Sequence, residues 1–292
     1  MNGSVRRPAA SPLHIESSGE GNPPVVLVHG FGAHGGFWRK WLPELAADHR
    51  VHLVDLMGFG QAGTPTGGDY SPMAQARHLV EFLRRFRDTP PVVIGHSLGA
   101  GVAVAASLRL LDEGGASLPA GLVLVSGTVL PQRLPRFMRL ARIPGLGELF
   151  LLATPPRFAL RKGIQSIVHD PDSVDLEQVE TYRKPLRSRR RRRAIIRAAR
   201  QVSMSAAERL SHRLGDLRLP ILLVWGEEDR VVPVEMGRKL QEALPDARLV
   251  TLPEVGHLPP EEAPRASLEP VLEFLRRRRG EPRVAGGLDA AR

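Results

Sequence analysis

Cysteine is absent from the 292-residue chain. That removes disulfides, thiolate metal sites, iron–sulfur ligation and a cysteine nucleophile together. Aromatic residues are scarce at 5%, and lysine is confined to Lys40, Lys162, Lys184 and Lys239. The formal charge of +10 is therefore almost wholly arginine. The arginines cluster at Arg187–Arg193 (RSRRRRR) and Arg276–Arg279 instead of following a groove with aromatics between them. This reads as solvated basic helix faces and argues against nucleic acid as a partner. Long apolar runs are also missing. Stretches such as Leu122–Leu130 fall well short of the ~20 residues of a membrane span, so no stable membrane insertion is expected. The opening MNGSVRRPAASPLHIE has no apolar segment of the secretory type. A soluble cytoplasmic protein, monomer or homodimer, is expected. What is present, 42% hydrophobic and 25% charged, suits one large α/β domain or a domain carrying an insertion.

Along the chain, short apolar runs alternate with helical patterns. Strands are expected at Val25–Val28, Val51–Leu56, Pro91–Gly95, Leu122–Ser126, Ile221–Trp225 and Leu249–Leu252. Helical spacing occupies Phe37–Ala47, Pro72–Arg87, Leu98–Leu111, Glu235–Leu244 and Ala263–Arg277. Such alternation gives a parallel sheet with helices on both faces. Between Leu130 and Leu219 the rhythm breaks into Arg-rich helical patterns interrupted by prolines. That stretch reads as a helical insertion over the carboxyl edge of the sheet, where open α/β proteins bind ligands. The expected division is a core of 13–129 and 220–278, a helical cap of 130–219, and flexible termini at 1–12 and 279–292.

Gly95-His96-Ser97-Leu98-Gly99 is a G-x-S-x-G motif between a buried strand and a small-residue helix, the context that gives it meaning. In such a turn the serine is strained and its Oγ is pushed outward. The helix start beneath it favours developing negative charge. A nucleophilic serine needs a base, and the base needs an orienting acid. Glu227, Glu228 and Asp229 compete for the acid on the loop after Ile221–Trp225. Asp229 is chosen because it lies deepest in the turn, before the apolar Val231-Val232-Pro233. Of the ten histidines, His257 alone completes the order Ser…Asp…His with each member on a loop after a strand. The HGFG loop at His29–Gly32 should supply one oxyanion N–H, from Phe31, and Leu98 the other. His29 and His96 read as packed structural residues.

HGFG, DLMGFGQA, GHSLG, WGEEDRVVP and Gly256-His257 occur in the order and approximate spacing of the α/β-hydrolase superfamily, which the chain resembles from about Leu13 to Leu275. The resemblance implies a mostly parallel eight-stranded sheet flanked by helices, with a helical cap inserted after strand six. It also implies Ser97 as nucleophile, Asp229 as acid, His257 as base, and Phe31 and Leu98 as oxyanion donors. Serine at the elbow sets aside dehalogenases and epoxide hydrolases of the fold, which carry Asp there. The favoured reading is a serine esterase or lipase working through an acyl-enzyme on a small apolar acyl or aryl ester. A C–C bond hydrolase and a cofactor-free haloperoxidase-like enzyme are the alternatives, and a non-catalytic binding module on the same scaffold is a distant one. Phe137, Leu146 and Phe150 in the cap, with Phe31, Leu98 and Leu258, are the expected substrate contacts. No metal or organic cofactor is expected, since there is no HExxH and no histidine pair at ligand spacing.

Overall fold

Strand residues alternate between two apolar clusters, and this alternation organises the whole molecule. The computed structural model describes residues 12–135, 138–139, 142–143, 145 and 156–279. Its strands are β1 His14–Ser18, β2 Val25–Val28, β3 Val51–Asp55, β4 Val92–His96, β5 Gly121–Val125, β6 Ile221–Gly226 and β7 Ala247–Leu252. They form one sheet in the order β1-β3-β2-β4-β5-β6-β7, antiparallel only where β1 meets β3. Val26 and Val28 of β2 join one cluster, with Leu122, Leu124 and Leu223. Val25 and Leu27 join the other, with Val123, Val125, Leu222 and Val224. Both faces of β2 are thus buried, which is why the run reads as continuously apolar and not as alternating.

The first face is covered by α2 (Pro72–Leu83) and α3 (Leu98–Asp112). Helix α2 begins cleanly because Pro72 tolerates the first helical position and Ser71 Oγ accepts from the Ala74 N–H at 3.3 Å. The second face packs against Trp38 and Trp41, in the turn leading into α1 (Leu42–Asp48), and against Leu45 of that helix. The carboxyl-terminal helix Pro264–Arg278 adds Leu268, Val271 and Leu275 to the same cluster.

Between β5 and β6 the described residues contain helices and no strand: α4 Arg157–Gln165, α5 Leu176–Arg183, α6 Arg189–Gln201 and α7 Met204–Ser211. The resemblance implies eight strands, whereas the described residues form seven. At one edge of the sheet β1 pairs with β3, the single antiparallel pairing among the described strands. β1 itself escaped the sequence reading because an edge strand reading HIESS has no apolar face to betray it; three of its residues are exposed. The described helices between β5 and β6 follow the fifth of the seven described strands, where the resemblance implied a cap after strand six. Residues 1–11 and 280–292 of the expected flexible termini, and Phe137, Leu146 and Phe150, lie outside the described residues.

The basic run falls on α6, capped by Ser188 Oγ. Arg189, Arg190 and Arg193 are exposed, as a solvated basic face requires. Arg192 is not part of that face. It is buried, and its Nη1 donates to the Leu186 and Arg187 carbonyls at 2.7 and 3.0 Å.

Helix α3 approaches β2 so closely that Gly99 has no room for a side chain. A Cβ there would lie 2.3 Å from the Val28 carbonyl oxygen and 2.6 Å from that of His29. Gly99→Ala is expected to destabilise the fold by about 1–3 kcal/mol, read as a lower urea midpoint at unchanged m-value. An unchanged midpoint would mean that α3 can lift from the sheet at no cost.

Candidate active site

Three loops at the carboxyl ends of β4, β6 and β7 converge on one point. Ser97 ends β4 and precedes α3 with φ +49° and ψ −114°, a conformation that L residues rarely adopt. The turn is held by its main chain. Ser97 N–H donates to the Val125 carbonyl at 2.9 Å, and the Ser97 carbonyl accepts from Ala100 and Thr128 at 3.1 and 3.0 Å. The side chain that emerges is only 7% exposed.

Ser97 Oγ lies 3.1 Å from Nε2 of His257, whose Nδ1–H donates to Asp229 Oδ2 at 2.8 Å. The other carboxylate oxygen of Asp229 accepts two backbone N–H groups, from Val231 and Val232, each at 2.8 Å. Asp229 is thereby fixed in angle as well as position, and its acceptor role dictates which ring nitrogen of His257 carries the proton. Glu227 and Glu228 are exposed on the same loop, and Glu227 accepts instead from Thr251 Oγ1 at 2.8 Å. Of the three competing acids, geometry brings only Asp229 to the imidazole.

The loop after β2 passes directly over the serine: a Cβ on Gly30 would sit 3.2 Å from Ser97 Cβ. Phe31 follows, half-buried, its ring edge-on to Phe59 at 5.6 Å between centroids. Leu98, the first residue of α3, has no intrahelical acceptor for its N–H. Leu258 is buried beside His257, in the apolar cluster that also holds Val255 and Trp38.

Two histidines prove to be scaffolding. His29 Nδ1–H donates to the Gly30 carbonyl at 2.7 Å, and its Nε2 accepts from Leu56 N–H at 3.0 Å. A neutral ring is needed for that second bond, and burial lowers the His29 pKa to about 4, against the opposing pull of Asp55. His96 stacks on Phe37 at 4.4 Å and donates Nε2–H to the His257 carbonyl at 2.8 Å. Burial, reinforced by His257, pushes its pKa well below the ordinary histidine value.

Other residues that shape the site left little trace in the sequence. Asp55 ties two loops together, accepting from Gly35 N–H through Oδ1 and Gln61 N–H through Oδ2, both at 2.6 Å. Its position at the end of a strand, in DLMGFG, was the available signal. Gln75 of α2 both donates to the Met57 carbonyl and accepts from the Met57 N–H. The helices between β5 and β6 are fastened to the same loops. His34 Nε2–H donates to the Thr181 carbonyl at 2.8 Å, and Arg191 Nη1 donates to the Phe59 and Ala62 carbonyls at 2.9 and 3.2 Å. Among the described residues no group of three or more His, Asp or Glu side chains is arranged to hold a metal ion. No helix among them is long and apolar enough to cross a membrane.

A family model for the alpha/beta hydrolase family matches residues 25–269. The chain belongs to the alpha/beta hydrolase family. Pimeloyl-(acyl-carrier protein) methyl ester esterase of Methylococcus capsulatus is 32% identical over 265 residues, covering 84% of this chain and 92% of that protein. The 2-hydroxy-6-oxo-6-phenylhexa-2,4-dienoate hydrolase of Burkholderia cepacia is 27% identical, covering 90% and 91%. A solved alpha/beta hydrolase fold protein from Burkholderia ambifaria superposes with a TM-score of 0.77 at 29% identity, covering 89% of this chain and 93% of that one. The chain is thus a hydrolase by family, with a mostly parallel sheet flanked by helices as the resemblance implied.

The buried neutral His29 gives this alpha/beta hydrolase an acid-sensitive scaffold. Its folded pKa lies below the ordinary 6.5, so the unfolded chain takes up the proton first as pH falls. The associated stability is present above pH 6.5 and lost on descending through about pH 4. On the order of 3 kcal/mol rides on this residue. Urea titrations across that range should show His29→Asn with a flatter pH dependence than the unsubstituted protein. Parallel curves would remove His29 as the source.

Proposed function

We propose that the protein is a serine hydrolase cleaving carboxylic esters through an acyl-enzyme, with Ser97 as nucleophile, His257 as general base and Asp229 as the orienting acid. One observation carries this reading: the unbroken hydrogen-bond chain from Ser97 Oγ through the His257 ring to Asp229, at 3.1 and 2.8 Å. Each link has a chemical duty. His257 Nε2 takes the Ser97 proton as Oγ bonds to the ester carbonyl carbon. The Phe31 and Leu98 N–H groups receive the oxyanion, with the start of α3 adding its positive end. The imidazolium then returns the proton to the departing alcohol oxygen as the C–O bond breaks. Water repeats the sequence on the acyl-serine, releasing the acid and restoring Ser97. Asp229 stabilises the transient imidazolium through its hydrogen bond to Nδ1.

The division into a core of 13–129 and 220–278 and a cap of 130–219 belongs to the same proposal. The cap would close over the serine and select the acyl or aryl group. The esterase from M. capsulatus supports an ester substrate. The hydrolase from B. cepacia, whose substrate is a phenylhexadienoate, supports a second reading in which the same triad cleaves a C–C bond. A panel of p-nitrophenyl esters of graded acyl length beside a vinylogous diketone acid separates the two.

Ser97→Ala is expected to lower ester turnover by at least about a thousandfold with the fold intact. Retained turnover would remove Ser97 as nucleophile. Asp229→Asn is expected to lower kcat by on the order of 10³–10⁴-fold. The amide oxygen can keep the bonds from Val231 and Val232, but its NH₂ then faces His257 Nδ1 and enforces the wrong tautomer. Glu228→Gln should leave kcat within about twofold, as an exposed surface substitution. The reverse ranking in steady-state kinetics would assign the acid to Glu228.

A further inference from the structure

The main chain around His257 is held by a carboxylate outside the triad. Three successive N–H groups are each satisfied. Gly256 N–H donates to Glu262 Oε2 at 2.8 Å, His257 N–H to the Ile167 carbonyl at 2.9 Å, and Leu258 N–H to Glu262 Oε1 at 2.8 Å. Glu262 Oε2 accepts a further bond from His169 N–H at 2.7 Å. Ile167 and His169 both belong to the inserted helical segment. Gly256 completes the fit, since a Cβ there would lie 2.6 Å from the His169 nitrogen.

Glu262 is able to do this because of the turn that carries it. Pro259 and Pro260 follow Leu258 and have no N–H to offer, and they restrict φ on the approach to the short helix Pro259–Glu262. Glu262 N–H bonds back to the Leu258 carbonyl at 2.9 Å, which folds its side chain over the loop it stabilises. Neighbouring Glu261 does a different job. Its buried carboxylate pairs with Arg39 Nη1 at 2.6 Å and takes Gln178 Nε2 as a second partner. Glu261 thus anchors α5 to the residues before α1 and does not accept from the N–H groups flanking His257.

We propose that Glu262 is a positioning residue for His257, and that through His169 it sets the base loop in register with the inserted segment. The proposal rests on the reading of Ser97, His257 and Asp229 as a triad. With the His257 carbonyl held by His96 and its N–H by Ile167, the two N–H groups on Glu262 are what fix the loop's remaining rotation. Loosening them lets the imidazole turn away from Ser97 without unfolding the chain, and reactivity of this kind is lost steeply with misplacement. In E262Q one oxygen becomes a donor, so at least one of the three N–H bonds is lost.

The test is labelling of Ser97 by a fluorophosphonate, which reads the His257-activated hydroxyl whatever the natural substrate. In E262Q the inactivation rate constant should fall about 10- to 100-fold while the inhibitor constant stays within about twofold. The low-field proton resonance of the His257–Asp229 hydrogen bond should broaden or vanish. E261Q should lower Tm while keeping labelling and the resonance as in the unsubstituted protein, which separates positioning from stability. E262Q labelling at the unsubstituted rate would overturn the inference, as would E261Q and E262Q losing labelling alike in proportion to lost Tm. Failure of the unsubstituted chain to label at Ser97 would instead overturn the triad reading beneath it.

Discussion

The constraint from which the site follows is the close contact of α3 with β2. Gly99 lets the helix start against the Val28 and His29 carbonyls, so the chain must reverse within one residue of the strand end. That residue is Ser97, and the reversal places it at φ +49°. The strain is held by three main-chain hydrogen bonds across the turn. The strained backbone presents the hydroxyl where the loops after β6 and β7 can reach it.

The second arrangement is a division of labour among buried polar groups. Asp229 orients His257, His96 holds the His257 carbonyl, and His29 and Asp55 fix the loop that passes over the serine. Each of these groups has at least one partner on a different loop, so the loops form one network around Ser97. Buried groups paired in this way resist rotation because an unmade bond in the interior is costly. The same rule attaches the inserted segment, through His34 and Thr181, Arg191 and Phe59, and Glu262 and His169. These bonds run beside apolar contacts, since Ile164, Val168 and Val179 of the segment share a cluster with Val255 and Leu258, and Ala194 and Ile195 share one with Met57 and Phe59.

Legibility in the sequence followed the range of the physics involved. The buried strands announced themselves because burial on both faces demands uninterrupted Val, Leu and Ile. β1 did not, because an edge strand with exposed residues makes no such demand. Asp229 could be singled out from Glu227 and Glu228 because the apolar Val231-Val232 lies next to it, and those two residues do supply its backbone donors. Arg192 stood unmarked within a run of like residues, although it is buried and its neighbours are not.

The sequence by itself determined the alternation of strand and helix, the serine turn with its two glycines, and the chain order of serine, acid and histidine. These are local properties: side-chain period, backbone freedom and turn chemistry act over a few residues. Only the tertiary structure decided that Glu262 holds the residues on either side of His257, that His169 shares that carboxylate, and that His96 is bonded to the His257 carbonyl. Those bonds join groups as far apart as 161 residues. A hydrogen bond depends on distance and angle in space, and no spacing along the chain encodes either.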